Sequence, residues 1–387
     1  MAEIKTISIS DFSTHSGVIY PLINLHFQQF GQEIGIAPIV FVNHSLTGNS
    51  QLTGDRGWWN EIIGPNKTID TNKYTVLGFN IPGNGVLNQT FSRPEDFHTG
   101  DIANLFLLGL KALKIDSLHS LIGGSIGGGI AWEMAAINPD ITKYLIPVAA
   151  DWKANDWIIA NTFLQKRILQ NSKQPMEDAR IHAMLTYRTP QSFEFRFGRT
   201  KNHELEVFNI ESWLMYHGNK LAKRFHLDAY VMMNHLLASI NIEREGRSAQ
   251  DIIKNISAEI HLISVDSDLF FTAAEDQKTF DFTKKAKKDI FYHELSSLHG
   301  HDAFLIEHQQ LANLLQPIFP YVFPSGILNF NNINKNDNEL HYIIQQGLSS
   351  PHTDLLYDLT NWSSHKNSYT SRNNNVNYET NKKLFVP

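Results

Sequence analysis

From about Ile39 the chain alternates short, continuously apolar runs with stretches whose apolar residues recur at helical spacing. The runs are PIVFVNHSLTG, KYTVLGFNIPG, SLHSLIGGS, KYLIPVAAD, EIHLISVDSD and DIFYHELSS. Strands that lack polar alternation are those covered on both faces, so the pattern predicts an α/β chain with a mostly parallel sheet flanked by helices. Between Ala150 and Glu259 the helical spacing persists, as in DWIIANTFLQKRILQ and LDAYVMMNHLLASI. That is too long for one crossover helix, so residues 154–250 read as a helical lid inserted in a core formed by 1–153 and 251–320. Beyond PYVFPSG the chain becomes Asn-rich, and residues 321–387 read as a disordered tail.

Composition narrows the chemistry. The chain has 387 residues, a formal net charge of −6 and no cysteine. The charge gives no reason to expect nucleic acid or anionic lipid as a partner. The missing thiols exclude a disulfide framework, a thiolate metal site and a cysteine nucleophile. MAEIKTISISDFSTHSG is too polar for the apolar centre of a signal peptide, and no run is long enough to span a bilayer, so a cytoplasmic location is expected. No spacing such as His-Glu-x-x-His appears, and no metal is expected.

The densest chemical signal is SLIGGSIGGGIAWEMA at 120–135, where Gly123-Gly124-Ser125-Ile126-Gly127 joins an apolar run to a helix-forming one. Gly-x-Ser-x-Gly at a strand-to-helix junction is a nucleophile elbow: neighbours without Cβ let strand and helix close around a strained serine. A glycine-rich nucleotide-binding turn is the competing reading of this motif alone. The elbow's partners should follow in the order acid, then histidine, each just past a strand. Asp268 in EIHLISVDSDLFFT and His301 in IFYHELSSLHGHDAFLIE meet that order. Asp266 reads as a residue capping the same loop and His299 as a loop residue. The oxyanion donors are then the amide of Ile126 and one from FVNHSLTGN, for which Leu46 is the candidate. His44 reads as a side chain hydrogen-bonded in that turn.

Several spaced blocks resemble the homoserine O-acyltransferase family of the α/β-hydrolase fold, over roughly residues 17–318. NHSLTGN is similar to its His-Ala-Leu-Thr-Gly loop, GWWNEIIGPNKTID to its Gly-Trp-Trp-Asp and Ile-Gly-Pro-Gly-Lys blocks, and IGGSIGGG to its elbow. YRTPQSFEFRFGR and FNIESWLMYHGNKLAKRFHLDAY resemble its lid segments, SDLFF and GHDAFLIE its acid and histidine blocks. The resemblance places the acid at Asp268 and the histidine at His301. It implies that Arg224 holds an amino-acid carboxylate, that Asp302 meets its ammonium and that Tyr230 lines the site. Without the resemblance, Arg224 reads as a surface arginine and Asp302 as a residue favoured at a helix start.

The implied activity is ping-pong transfer of an acetyl group from acetyl-CoA, a consumed co-substrate, to the side-chain hydroxyl of L-homoserine. That reaction opens a route to methionine. No tightly bound cofactor is implied, and a homodimer through the lid helices is; exposed apolar residues in AYVMMNHLL would be consistent with it, and a helix packed on its own core would read the same. The chain departs from the family at IPGNG after LGFN, at Gly129 and at His226 in RFHLD. The first two changes are expected to sit near the acyl pocket and leave succinyl-CoA open as donor. A serine acceptor, an esterase or thioesterase using water, and a silent binding protein are the other readings.

Overall fold

The computed structural model describes residues 2–244 and 246–320; the Asn-rich stretch 321–387 lies outside the described residues. Its centre is an eight-stranded sheet. In chain order the strands are β1 (Lys5–Ser13), β2 (Ile19–Gly31), β3 (Ile39–Asn43), β4 (Thr75–Phe79), β5 (Leu118–Gly124), β6 (Thr142–Val148), β7 (Glu259–Val265) and β8 (Ile290–Leu295). Their spatial order is β1-β2-β4-β3-β5-β6-β7-β8. β1 and β2 form an antiparallel hairpin, and β2 pairs antiparallel with β4. From β4 to β8 every pairing is parallel.

Five of the six apolar runs occupy the middle of this sheet, and the sixth, β8, forms its far edge. All five residues of β3 and all five of β4 are buried. Alternation of side chains sends Phe41 into the core on one face and Val40 and Val42 into the core on the other, so a continuous apolar run serves both layers. Phe41, Phe79 and Phe106 meet edge to face on the first side, and Trp59 meets Phe304 on the second.

The β1–β2 hairpin precedes the strand pattern that the sequence shows from about Ile39. β1 has the exposure pattern of an edge strand, with Ile7 and Ile9 half-buried between exposed polar residues, and so lacks the long apolar run that marks the central strands.

Helices α1 (Thr99–Ala112) and α2 (Ile126–Ile137) link the early strands. Five helices then lie between β6 and β7 in the region 154–250: α3 (Asp156–Asn171), α4 (Pro175–Tyr187), α5 (Pro190–Phe197), α6 (Asn209–Arg224) and α7 (Leu227–Ala238). α8 (Ala249–Asn255), α9 (Ala273–Ala286) and α10 (His308–Leu315) complete the described fold.

One expectation is corrected here. The apolar residues of AYVMMNHLL do not form an exposed surface: Tyr230, Met232, Met233, Leu236 and Leu237 of α7 are all buried in the chain's own core. Full burial of side chains this size is worth roughly 1.5–3 kcal/mol each, so α7 is a foundation of the lid region. Exposed apolar residues sit instead on α3, α5 and α6, at Trp157, Phe163, Phe195, Met215 and Tyr216.

Candidate active site

Ser125 stands between β5 and α2 with φ 57° and ψ −130°, a conformation costly for a residue with a side chain. Two contacts hold it there. Its amide donates to Val148 O at the end of β6 (2.9 Å), and its carbonyl accepts from Gly128 and Gly129 of the first helical turn. A Cβ at Gly127 would lie 2.6 Å from Asn43 O and 2.8 Å from His44 O, so glycine there lets the start of α2 press against the loop after β3. At Gly124 the missing Cβ makes room for the ring of Phe304, 2.5 Å from where it would stand. Phe304 belongs to the 3-10 turn Gly300–Leu305 that carries His301, so the elbow and the histidine turn are packed directly together.

Asp268 and His301 are joined as their sequence order suggested. His301 Nδ1 lies 2.6 Å from Asp268 Oδ2. Asp268 Oδ1 accepts the amides of Phe270 and Phe271 at 2.6 and 3.0 Å. A carboxylate so surrounded can only accept, so Nδ1 carries the imidazole proton and Nε2 is left as the base. Tyr187, Phe270, Phe271 and Phe304 surround the imidazole with ring centroids 5.3–5.7 Å away. Both side chains are buried. Asp266 accepts from Ser296 Oγ and the Ser297 amide, tying the histidine loop to the acid loop.

Leu46 and Ile126 lie on two segments that touch. Ser45 Oγ donates to Gly124 O (3.3 Å), and Asn43 Nδ2 donates to Gly127 O (3.1 Å). A cavity lined by Leu46, Gln165, His182, Tyr187, Tyr230 and Phe270 lies between the loop after β3 and helices α3, α4 and α7. Tyr230 is buried there, its hydroxyl 3.5 Å from Gln165 Oε1. Burial pushes its phenol up to about 12, so it stays a neutral donor.

Arg224, at the end of α6, donates to Thr47 O at 3.0 Å and Thr47 Oγ1 at 3.3 Å. It is thus joined to the residue next to Leu46. Asp302 follows His301 and is held by Arg188 Nε at 2.8 Å. Arg188 was not singled out in the sequence, although YRTPQSFEFRFGR contains it. It also lies 3.4 Å from His299 Nδ1, which in turn is 3.0 Å from Ser192 Oγ. The junction of α4 and α5 therefore clasps the histidine loop, a pairing across 114 positions that local sequence cannot signal.

Two of the departures from the family pattern can be placed in the fold. The space beyond Gly129 is filled by Ile240, and neither lines the cavity. Gly83 and Gly85 of IPGNG face Met232, Ala229 and His226, so this loop packs on α7.

Three possible metal ligands also converge: atoms of His15, His98 and Asp101 lie within 4.8 Å of one another. They already serve one another as a helix cap. His98 Nδ1 accepts the Asp101 amide (3.0 Å) while Asp101 Oδ2 accepts from the His98 amide (2.9 Å) and contacts His15 Nδ1 (2.8 Å).

A family profile described as the α/β hydrolase fold matches residues 38–192. Among curated proteins, the chain is 27% identical over 365 residues to a homoserine O-acetyltransferase of Carboxydothermus hydrogenoformans, covering 83% of this chain and 96% of the relative. It is 30% identical over 331 residues to one of Cyclobacterium marinum, covering 79% of this chain and 92% of the relative. Among solved structures, esterase E22 superposes with a TM-score of 0.75 at 17% identity, over 82% of this chain and all of the other. Homoserine O-acetyltransferase from Bacillus anthracis superposes with a TM-score of 0.74 at 18% identity, over 83% and 98%. These superpositions establish the fold, and the curated relatives establish the family. An elbow serine, a histidine bonded to a buried aspartate and near full-length similarity to those relatives agree: the chain belongs to the homoserine O-acetyltransferase family of the α/β-hydrolase fold.

Proposed function

We propose that this chain moves an acetyl group from acetyl-CoA to the side-chain hydroxyl of L-homoserine through an acyl-Ser125 intermediate. The observation that carries the reading is the similarity to homoserine O-acetyltransferases over 92–96% of their length.

His301 Nε2 takes the proton of Ser125 Oγ as that oxygen attacks the thioester carbonyl. The amides of Leu46 and Ile126 receive the oxyanion. Collapse breaks the C–S bond, and the leaving thiolate of coenzyme A takes the proton back from His301. Homoserine then loses its hydroxyl proton to the same nitrogen and attacks the acyl-serine. Ser125 leaves with that proton, giving O-acetylhomoserine, an entry to methionine.

Arg224 receives the acceptor's carboxylate, and Asp302 its ammonium through Oδ1, since Arg188 engages Oδ2. Tyr230 lines the cavity that takes the small groups. The lid helices favour the alcohol over water by positioning it. No metal or tightly held cofactor enters this sequence of steps. The cytoplasm is its proposed location; no described helix is long and apolar enough to cross a membrane. A homodimer through the lid would cover Trp157, Phe163, Phe195, Met215 and Tyr216, which are exposed in the single chain.

The test is coenzyme A release from acetyl-CoA with and without L-homoserine, together with mass detection of O-acetylhomoserine. Release that requires homoserine, with matching product, is the expected result. Release indifferent to homoserine would make the chain a thioesterase, and release only from succinyl-CoA, or only with serine, would change the substrate pair.

A further inference from the structure

His44 is fully buried in the loop after β3, and no step above uses it. Its ring is held by opposite kinds of partner. Nδ1 lies 2.7 Å from the carbonyl of Ser45, which can only accept. Nε2 lies 3.0 Å from the amide of Ile81, which can only donate, and 3.3 Å from Asn84 Nδ2. These partners fix one neutral tautomer, with the proton on Nδ1 and a bare lone pair on Nε2. Burial agrees, holding the imidazole down to about 4.

The Ser45 carbonyl is one end of the peptide whose other end is the Leu46 amide. The described chain has no cis peptide, so the two groups point in opposite directions across a rigid plane. The carbonyl is gripped twice, by His44 Nδ1 and by the Gly48 amide at 2.9 Å. The Leu46 amide donates to no acceptor among the described residues. Two anchors on one side of the plane therefore aim a free donor out of the other side. Ser45 Oγ on Gly124 O sets this peptide against the elbow.

We propose that His44 is a positioning residue for acyl transfer: by fixing the Ser45 carbonyl it orients the Leu46 amide toward the oxyanion that forms on the acyl group at Ser125. Its second nitrogen ties this peptide to the Ile81–Asn84 loop, which packs on α7 of the lid, and so keeps the oxyanion loop and the lid base in register. The inference rests on Ser125 as the acylated residue and on no particular acceptor.

Two substitutions separate the two nitrogens. In His44→Asn the amide nitrogen replaces Nδ1 and can still donate to Ser45. In His44→Gln the longer side chain can present its oxygen to the Ile81 amide, while Ser45 loses its side-chain donor. Acylation is read in a single turnover from the nitrophenolate burst with p-nitrophenyl acetate, which needs no homoserine. His44→Gln is expected to slow acylation about 100-fold, near the effect of deleting one oxyanion donor, with KM for the ester little changed. His44→Asn should recover at least tenfold of that loss. A trifluoromethyl ketone, which forms an oxyanion adduct with Ser125, should lose affinity for the Gln variant by the same factor as kcat/KM. The proposal is overturned if both variants acylate at the wild-type rate, if Asn is no better than Gln, or if the ketone binds the Gln variant as tightly as wild type. A burst that behaves as expected without any transfer to homoserine would leave this inference standing and remove the acceptor assignment.

Discussion

Asp268 divides its two oxygens between different tasks: Oδ2 meets His301 Nδ1 at 2.6 Å, while Oδ1 takes the amides of Phe270 and Phe271. The backbone fixes the carboxylate and the carboxylate fixes the imidazole. An amide in its place could turn its nitrogen toward His301 and select the tautomer with Nδ1 bare. Asp268→Asn should therefore fold normally yet lower the acylation rate by about 10⁴-fold, as measured by the nitrophenolate burst.

The proposed mechanism gives Asp302 the acceptor's ammonium and no part in acylation. Asp302→Asn keeps an oxygen for Arg188 and removes the charge proposed to meet the ammonium. KM for homoserine should rise roughly 10- to 100-fold, the range for losing a charged hydrogen bond, with the p-nitrophenyl acetate burst unchanged. Equal KM values for wild type and variant in coupled coenzyme A assays would remove Asp302 from the acceptor site.

Glu133 of α2 is buried and paired with Arg244, with Thr99 Oγ1 donating to it at 2.7 Å. Burial raises its carboxyl and Arg244 opposes that shift. Arg244→Met leaves a buried charge without its partner and should cost about 3–5 kcal/mol in urea unfolding at neutral pH. Glu133→Gln added to that variant should restore much of the loss.

The Asp151 carboxyl, just after β6, is buried beside Thr279 Oγ1 of α9, at 2.8 Å. Burial pushes it up from 3.8 to about 7. Between those values the folded chain binds more protons than the unfolded one, so this group's contribution to stability falls as pH rises through the window and levels off above it. Burial also raises Asp276, which adds the same sign. Asp151→Asn can still accept from Thr279. It should gain stability relative to wild type from pH 5 to pH 8 in denaturant titrations, and a constant difference across that range would refute the assignment.

The central fold was legible because β3 to β7 are largely buried runs bounded by polar turns, and Ser125 and Asp268 each follow such a run; His301 follows β8, an edge strand buried only at Ile290 and Leu295. The β1–β2 hairpin was missed because β1 is an edge strand whose small, alternating polar residues read as a solvated terminus. AYVMMNHLL was misassigned for another reason: apolar residues around a helix look the same whether they face a second subunit or their own core. Arg188 beside Asp302, and His15 beside His98, join residues far apart in the chain. No local pattern distinguishes such side chains from surface ones. His44 was visible as a polar-turn residue, but the tautomer that gives it a role depends on Ile81 and Asn84, which only the folded loop brings to it.

The insertion of the lid between β6 and β7 also bears on biosynthesis. At roughly 10 residues per second, the stretch separating these neighbouring strands takes on the order of ten seconds to emerge from a ribosome. Throughout that interval the growing chain already holds Ser125 and the loop after β3, while the β6 edge that will receive β7 has no partner. Ser125 is therefore made long before Asp268 and His301, while an apolar sheet edge stands open. During synthesis that edge stays unpaired until β7 has emerged.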